Sequence, residues 1–358
     1  MNDLPDGLLL IPLCIAICGL PFLPALLAAR KLPRSTTGAQ GTADSSAQCE
    51  SFRSLVESRF ASLINLARTN GTIRGTNDHG QPYIVLGFQS HLAQYLAPDS
   101  RRLRSCVIAS GHLDIPGELV CDRELFAEGR INLGHHALAK AMLSHRDIAI
   151  GPRARVTHWV RSDRRLDIAE AASIKGWASA GIEVVLARRA RFRKVLAPEI
   201  RFGRQREAGD TRNAPDTIGS FSPPARSGEQ PGNGHHLQIP AQHTMKGDLV
   251  LSGVLTVGDG CHLIGRIRAD KGIVLGQDVR VEGAIHAGGD IRIGARCSIS
   301  GPVISSAGIH ADPGCVFGSR EDPCTVSAET ILIGEASLAH GTVHALRHGE
   351  VLAERSGA

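Results

Sequence analysis

The sequence predicts an all-β fold, a solenoid wound from short strands, and three observations lead to it. Three consecutive blocks of 18 residues, spanning 255 to 308, carry nearly the same pattern of aliphatic residues and glycines. Aliphatic residues occur two apart in three places per block, and such pairs share one side of a strand but not of a helix. These 54 residues also hold eleven glycines, each costing roughly 1 kcal/mol in a helix interior. Each block is therefore predicted to be one coil of a β-helix, with three strands and three corners.

When the 18-residue blocks are aligned, equivalent positions form columns. One set of columns is predicted to point inward and another to mark the corners of the coil. The predicted core residues of the central blocks are Ile273, Leu275, Val279, Val281, Ile285, Ile291, Ile293 and Ile299. The predicted corner glycines are Gly258, Gly276, Gly294, Gly265, Gly283 and Gly301. Aromatic residues make up only 4% of the chain, which suits a narrow core built from stacked aliphatic layers.

The β-helix pattern occurs in two parts of the chain. A regular part covers 237 to 348, with coils starting at 237, 255, 273, 291 and 309 and, after four inserted residues, at 331. A degenerate part covers 106 to 203, where LDI, INLG, IAIG, LDIA and VVLA recur at intervals of 17 or 18 residues. We therefore expect two β-helical segments.

The start of the chain predicts a membrane anchor within residues 1–34. The 23 residues from Gly7 to Ala29 carry no charge, and about 20 apolar residues span a bilayer as a helix. Basic residues follow this stretch rather than precede it, which argues against a cleaved signal peptide. Because basic residues tend to stay on the cytoplasmic side, their position predicts a single-pass inner-membrane protein with its N-terminus outside and the bulk of the chain in the cytoplasm.

Three further segments complete the predicted organisation. Residues 35–105 are predicted to form a spacer with a short amphipathic helix at 51–68. We expect this helix to dock on the following domain, and the alternative is that it lies at the membrane surface. Residues 204–236 have no periodicity and are rich in Pro, Gly and Ser, which indicates a disordered linker. Residues 349–358 are predicted to be a polar tail.

Positive charge is concentrated in the degenerate half. Residues 101 to 206 hold 21 Lys and Arg against 11 Asp and Glu. The densest cluster of basic residues is predicted to contact an anionic surface and is called the anionic-surface patch. It consists of Arg188, Arg189, Arg191, Arg193 and Lys194. Inner-membrane lipid is the expected partner, since each basic residue near anionic lipid contributes about 1 kcal/mol. Nucleic acid is less favoured because no aromatic platform accompanies the cluster, and a solvated face without a partner is the other alternative.

The chain lacks several familiar sequence motifs of catalytic sites. It contains no phosphate-binding loop, nucleophile elbow, HExxH motif or CxxC pair. Cys261, Cys297 and Cys315 share an inward column and are interpreted as small core residues. The histidines of successive coils, which occupy outward columns, are His262, His286, His310 and His344. We expect no catalytic residues, no metal and no cofactor.

The ends of a β-helix carry backbone groups that no neighbouring coil satisfies. The last coil is followed only by HGEVLAERSGA, which offers no helix to cover it. We therefore expect a bare terminal coil that stacks on another copy of the chain without any need for nucleotide.

The stretch GDLVLSGVLTVGDGCHLIGRIRADKGIVLGQDVRVEGAIHAGGDIRIG resembles the bactofilin family, the polymer-forming cytoskeletal proteins of bacteria. The resemblance covers about 237 to 345, and the region ending in LAPEIRFG is similar to the weaker upstream half of membrane-anchored relatives. It implies a right-handed, three-sided β-helix that self-assembles near the inner membrane and positions partner proteins such as cell-wall enzymes. It implies no catalytic residues. The two β-helical halves and the membrane segment depart from the simplest members, which leaves open whether filaments or short assemblies form.

Two other classes of protein are compatible with the pattern. Acyltransferases of the hexapeptide-repeat type form a left-handed β-helix that also takes 18 residues per coil, usually with a protruding loop and a histidine at a subunit boundary. Here the coils run with almost no insertion. The second alternative is a membrane-tethered binding module that does not polymerise.

Overall fold

The computed structural model describes residues 47–77, 80–88, 92–96, 101–203 and 236–353. The predicted membrane anchor and the predicted linker up to residue 235 lie outside this described part. Among the residues described, no helix is long and apolar enough to cross a membrane.

The 18-residue repeat folds into a β-solenoid of about 12 turns, which confirms the predicted all-β class. Strands of successive coils pair in parallel, in the register that the aligned blocks predict. Leu255 lies opposite Ile273, and Ile273 lies opposite Ile291. In the degenerate half, Leu113 lies opposite Ile131 in the same way. The inward columns of neighbouring coils therefore stack directly on one another.

The N-terminal solenoid begins earlier than residue 106, because Tyr83 already pairs in parallel with Cys106. Part of the predicted spacer thus belongs to the solenoid. Its strands are β1 (Ile73–Thr76), β2 (Pro82–Leu86), β3 (Arg102–Leu103), β4 (Cys106–Ala109), β5 (Leu113–Ile115), β6 (Val120–Ala127), β7 (Ile131–Leu133), β8 (Leu138–Ser144), β9 (Ile148–Ile150), β10 (Arg155–Ser162), β11 (Arg165–Ile168), β12 (Ser173–Ile174), β13 (Trp177–Ala180), β14 (Glu183–Leu186) and β15 (Arg191–Phe202).

The C-terminal solenoid follows the regular repeat, and the four inserted residues bring Ile331 opposite Ile309 as predicted. Its last strand runs to Leu352, so the first residues of the predicted polar tail are strand. Its strands are β16 (His236–Ile239), β17 (Thr244–Lys246), β18 (Leu249–Leu251), β19 (Val254–Val257), β20 (His262–Ile264), β21 (Ile267–Ala269), β22 (Gly272–Leu275), β23 (Arg280–Glu282), β24 (Ile285–Ala287), β25 (Ile291–Ile293), β26 (Ser298–Ile299), β27 (Val303–Ser305), β28 (Gly308–Ala311), β29 (Val316–Phe317), β30 (Cys324–Gly334) and β31 (Ser337–Leu352).

A helical region docks on one side of the N-terminal solenoid. It comprises helical residues 47–55, a π-helical turn at Val56–Phe60 and an α-helix at Ala61–Asn70, and a separate 3₁₀ turn covers Leu92–Tyr95. The rings of Phe52 and Trp159 lie 5.7 Å apart between their centroids. This apolar face is buried on the strands, as the amphipathic pattern predicts.

The last coil of the C-terminal solenoid is not bare. Strand β31 pairs in antiparallel fashion with β15, the last strand of the N-terminal solenoid. Val195 lies opposite Val343, and Arg191 lies opposite Glu350. The expectation that this end waits for another copy was therefore wrong. Each terminal coil presents unpaired backbone groups, and pairing the two coils within one chain satisfies both sets at once.

Candidate functional site

The predicted core columns form the support on which any surface of this protein rests. All eight predicted core residues, from Ile273 to Ile299, are at most 2% exposed. The two solenoids share a single hydrophobic core that continues through the antiparallel junction, with Phe192, Phe202 and Phe317 close to it. The outward side chains are consequently held at fixed spacings along a rigid body.

The predicted corner glycines lie where successive coils come closest. Gly265 and Gly283 have φ angles of 133° and 149°, a region that side chains rarely adopt. A Cβ atom on Gly283 would lie 2.2 Å from the carbonyl oxygen of Gly265. A glycine column therefore allows the corners to stack at the spacing of the strands.

The residues of the predicted anionic-surface patch lie at the junction between the two solenoids. Their contacts across it are Arg188 Nε with Glu335 Oε1 (3.4 Å), Arg189 N–H with the Val351 carbonyl (2.9 Å), Arg191 Nε with Glu350 Oε2 (3.4 Å), and Arg193 Nη2 with the Leu346 carbonyl. Lys194 lies opposite His344 in the same antiparallel pair. Arg188, Arg191 and Arg193 thus contact the other solenoid through their side chains, and Arg189 does so through its backbone. Contact with an anionic surface stays a prediction.

The junction contains a charged cluster that the sequence analysis missed. Glu199 accepts hydrogen bonds from Arg201 Nε (2.6 Å) and from Arg320 Nη2 (2.5 Å), and its side chain is only 9% exposed. Hydrogen bonds from Arg320, opposed by partial burial and assisted by Arg201, lower the pKa of the Glu199 carboxyl. Arg320 belongs to the C-terminal solenoid, so this cluster links the two halves. The pairing of residues 121 positions apart gives no local signal in the sequence.

One end of the C-terminal solenoid is open among the strands that the structure describes. Strands β16, β17 and β18, which form its first coil, each pair with the next coil only: β19, β20 and β21. No described strand lies on their other side. We call this coil, His236–Leu251, the open coil. Its free backbone N–H and C=O groups form a template for pairing with another edge.

The inward side chains of the open coil are incompletely covered. Leu237 is 36% exposed, whereas its counterpart one coil further in, Leu255, is 0% exposed. Met245, Leu249 and Leu251 are only partly buried against the core. The open coil therefore offers an apolar interior together with unpaired backbone, which is the combination that the two terminal coils present to each other at the junction.

The opposite end of the N-terminal solenoid is closed differently. β1 pairs in antiparallel fashion with β2 on the side away from β4. Leu92 of the 3₁₀ turn is 2% exposed and packs into the core. This end therefore finishes in a hairpin and a 3₁₀ turn rather than in a complete coil edge.

A groove of about 840 Å³ opens between the helical region and the adjoining side of the N-terminal solenoid. It is lined by the aromatic residues Phe52 and Trp159 and by the basic residues Arg123 and Lys140. The Lys140 ammonium lies 2.7 Å from Glu124, while Arg123 has no carboxylate within 4.0 Å in the described part. The lining therefore combines aromatic rings with the Lys140–Glu124 ion pair and the Arg123 guanidinium.

The cysteines and histidines are dispersed rather than gathered. The inward cysteines each donate an S–H to a carbonyl of the preceding coil, as Cys261 does to Pro240 at 3.0 Å and Cys297 to Gly276 at 3.1 Å. Burial raises the pKa of the Cys121 thiol to about 12, which keeps it protonated. Within the described ranges, no three His, Cys, Asp or Glu residues are grouped so as to hold a metal ion.

Comparison with protein-family models, with curated proteins and with solved structures finds no match for this chain. The resemblance to bactofilins is therefore carried by the quoted repeat alone.

Proposed function

We propose that this chain is a non-catalytic structural scaffold of the bactofilin kind, a right-handed, three-sided β-helix that self-associates through its open coil without nucleotide. Residues 7 to 29 tether it to the inner membrane, with the N-terminus outside and the solenoids in the cytoplasm. Its role is to hold partner proteins, such as cell-wall enzymes, at that membrane.

The observation that carries this proposal is the one-sided pairing of the open coil. Within the described ranges, its three strands have partners only toward the interior of the solenoid. Its apolar interior, including Leu237, is partly exposed to solvent. Stacking on a second copy would satisfy these backbone groups and cover this apolar surface, as the antiparallel junction does inside the chain.

The number of open coils decides the size of the assembly. Among the described strands, the last coils of the two solenoids pair with each other at the junction, and β1 covers β2 at the start of the N-terminal solenoid. The 3₁₀ turn packs on the core at that end, and the two-residue strand β3, which has β6 as its only described partner, keeps a short free edge. In the part of the chain that the structure describes, the open coil is the one complete coil with an unpaired side, and this favours two-fold pairs because a self-complementary patch closes once it is used. We therefore propose short assemblies of paired chains rather than long filaments.

The proposal is tested by measuring the molar mass of the full chain in detergent by light scattering over a concentration series. We expect pairs whose formation is indifferent to added nucleotide. Leu237→Glu places a charge on the open coil and should shift the protein to monomers. Val250→Glu is the matched control, since Val250 lies in the same coil but is 74% exposed and points outward.

Two results would sink the proposal. Strict monomers at all concentrations would exclude self-association through the open coil. Turnover of acyl-CoA by the purified chain would favour the acyltransferase alternative instead.

A further inference from the structure

We infer that one side of the N-terminal solenoid is a docking surface for an anionic lipid bilayer. This side, which we call the basic face, is made of the outward residues of β3 and β12 and of the N-terminal residues of β6, β8, β10 and β15. The corners on either side of these strands belong to it as well. The inference rests on the proposed membrane tether and goes beyond the junction patch of residues 188 to 194, most of which is engaged with the other solenoid.

The strand register places the outward residues of the basic face in one line. Across successive coils the aligned positions are Arg102, Val120, Leu138, Arg155, Ser173 and Arg191. Six strands at about 4.8 Å spacing make this line about 24 Å long. Because the sheet backbone is rigid, cations along the line and its edges lie near one plane.

Basic residues also mark both corners of this face. On one corner, the equivalent positions of successive coils all have φ angles between 55° and 62°; they are Glu118, His136, Arg153, Ala171 and Arg189. Glu118 is paired with Arg101 at 3.3 Å, so Arg153 and Arg189 carry the charge of this corner. On the other corner, register shifts in the pairing bring Arg123, Lys140 and Lys175 into a second row. A bilayer surface, which is broad and flat, can meet both rows and the line between them at the same time.

The charges on this face are only partly neutralised. Some cations are paired, for example Arg102 with Asp122 and Lys140 with Glu124. The cations of the face that have no carboxylate oxygen within 4.0 Å in the described part are Arg104, Arg123, Arg153, Arg155, Lys175 and Arg189. Glu170 is exposed at the Arg153 corner and makes no ion pair with any described residue. The face therefore keeps a clear excess of positive charge.

A bilayer fits this surface better than a nucleic acid does. Proteins that bind single strands use exposed aromatic rings as stacking platforms. The rings that border the basic face include Trp177 and Phe192 and, in the groove lined by Arg123 and Lys140, Phe52 and Trp159; all four are at most 8% exposed. The tether proposed at residues 7 to 29 would also keep this half of the chain within reach of headgroups.

The test uses the full chain in vesicles of phosphatidylcholine, with or without phosphatidylglycerol. A donor dye is attached through Ser173→Cys, which lies between Arg155 and Arg191 in the line of the basic face, and an acceptor is carried on the lipid headgroups. Ser298→Cys, on a different side of the C-terminal solenoid, is the matched control position. The parent chain taken through the same labelling gives the background from native cysteines.

We expect energy transfer at Ser173 to exceed that at Ser298 in the anionic vesicles only. Raised salt should reduce it to the phosphatidylcholine level, since screening shortens the reach of the charges. Arg153→Glu, Arg155→Glu, Lys175→Glu and Arg189→Glu combined should abolish the excess without changing the melting temperature. The single variant Arg155→Glu, at an exposed position, gives a partial loss and serves if the combined variant melts early.

Equal transfer in the two lipids, or full transfer in the combined variant, would overturn the inference. Binding of an RNA oligonucleotide that depends on the same four residues, with equal transfer in both lipids, would also overturn it and assign the face to nucleic acid. The combined variant leaves the open coil intact. If it still forms pairs while membrane contact is absent from the parent, only the docking surface fails and the proposed self-association stands.

Discussion

Gly349 of the last coil lies against the ring of Phe192 across the antiparallel junction, so closely that a Cβ atom on Gly349 would be 2.4 Å from Cε2 of Phe192. Phe192 is 2% exposed and cannot swing away into solvent. The close approach of the two solenoids at this point therefore depends on a missing side chain.

Gly349→Ala should destabilise the junction by about 1 to 3 kcal/mol, because the added methyl group forces a buried ring to move. Urea unfolding followed by circular dichroism measures the change. Phe192→Leu in the same chain makes room for the methyl group, so the double variant should lose less than the sum of the single losses. Additive losses would show that the two residues are not in contact.

The inward column of the C-terminal solenoid gives a second prediction. Val281 is fully buried, and Val281→Asp would place an unpaired charge among stacked aliphatic side chains. We expect no cooperative melting of the C-terminal solenoid. Val274→Asp is the matched control, since Val274 is 37% exposed on an outward column and its replacement should change stability by no more than about 0.5 kcal/mol. Similar melting of the two variants would contradict the assignment of columns.

His344 makes the junction sensitive to mild acid. Partial burial, then Lys194 and Arg193, lower the pKa of His344, and its Nε2 is buried without a hydrogen-bond partner. Because the unfolded chain takes up this proton first, stability should fall as the pH drops below the unfolded value of about 6.5. His344→Gln should flatten the melting temperature between pH 7.5 and pH 5.5. His243→Gln, at an exposed position in the open coil, should leave the slope unchanged.

The stabilisation that the Glu199 carboxylate provides should be lost at low pH. The hydrogen bond from Arg320 is the main cause of the lowered pKa of the Glu199 carboxyl in the folded chain. This stabilisation is therefore present above the unfolded pKa of about 4.3 and is lost as the pH falls through the folded pKa. Glu199→Gln should cost about 1 to 3 kcal/mol at neutral pH, because Arg201 and Arg320 lose a shared charged acceptor.

Asp248→Asn provides the comparison for Glu199→Gln. Asp248 pairs with Arg266 at 2.7 Å, but their side chains are 47% and 78% exposed. The expected loss is smaller than that for Glu199→Gln, since solvent screens an exposed ion pair. Equal losses for the two variants in chemical denaturation would contradict a structural role for the Glu199 cluster.

Much of the solenoid could be predicted because its information is local and repeated. An aliphatic pair two residues apart, such as Ile291 and Ile293, specifies one buried strand whatever the rest of the chain does. The 18-residue spacing then specifies the register, since a slip by one residue would turn every core side chain outward. The early start of the N-terminal solenoid at β2 was missed because a single strand without a repeated neighbour carries no periodic signal.

The candidate site was predicted less completely than the solenoid, and the reason differs between the basic residues and the open coil. The basic residues of 188 to 194 were found by their density, yet density does not tell which of them meet Glu335 or Glu350. Those contacts depend on which two strands become neighbours over a long stretch of chain. The sequence analysis did not identify the open coil, because an edge strand is recognised only by the absence of a neighbouring strand in the fold.

By itself, then, the sequence determined the coil, its core columns such as Ile273 and Leu275, and the glycine corners, because each follows from the geometry of a residue and its near neighbours. Only the tertiary structure decided that β15 and β31 join in antiparallel fashion and leave β16, β17 and β18 as a free edge among the described strands. Backbone hydrogen bonds between terminal coils require no particular side chain, so the choice of partner is written in the folded arrangement of the whole chain rather than in any short segment.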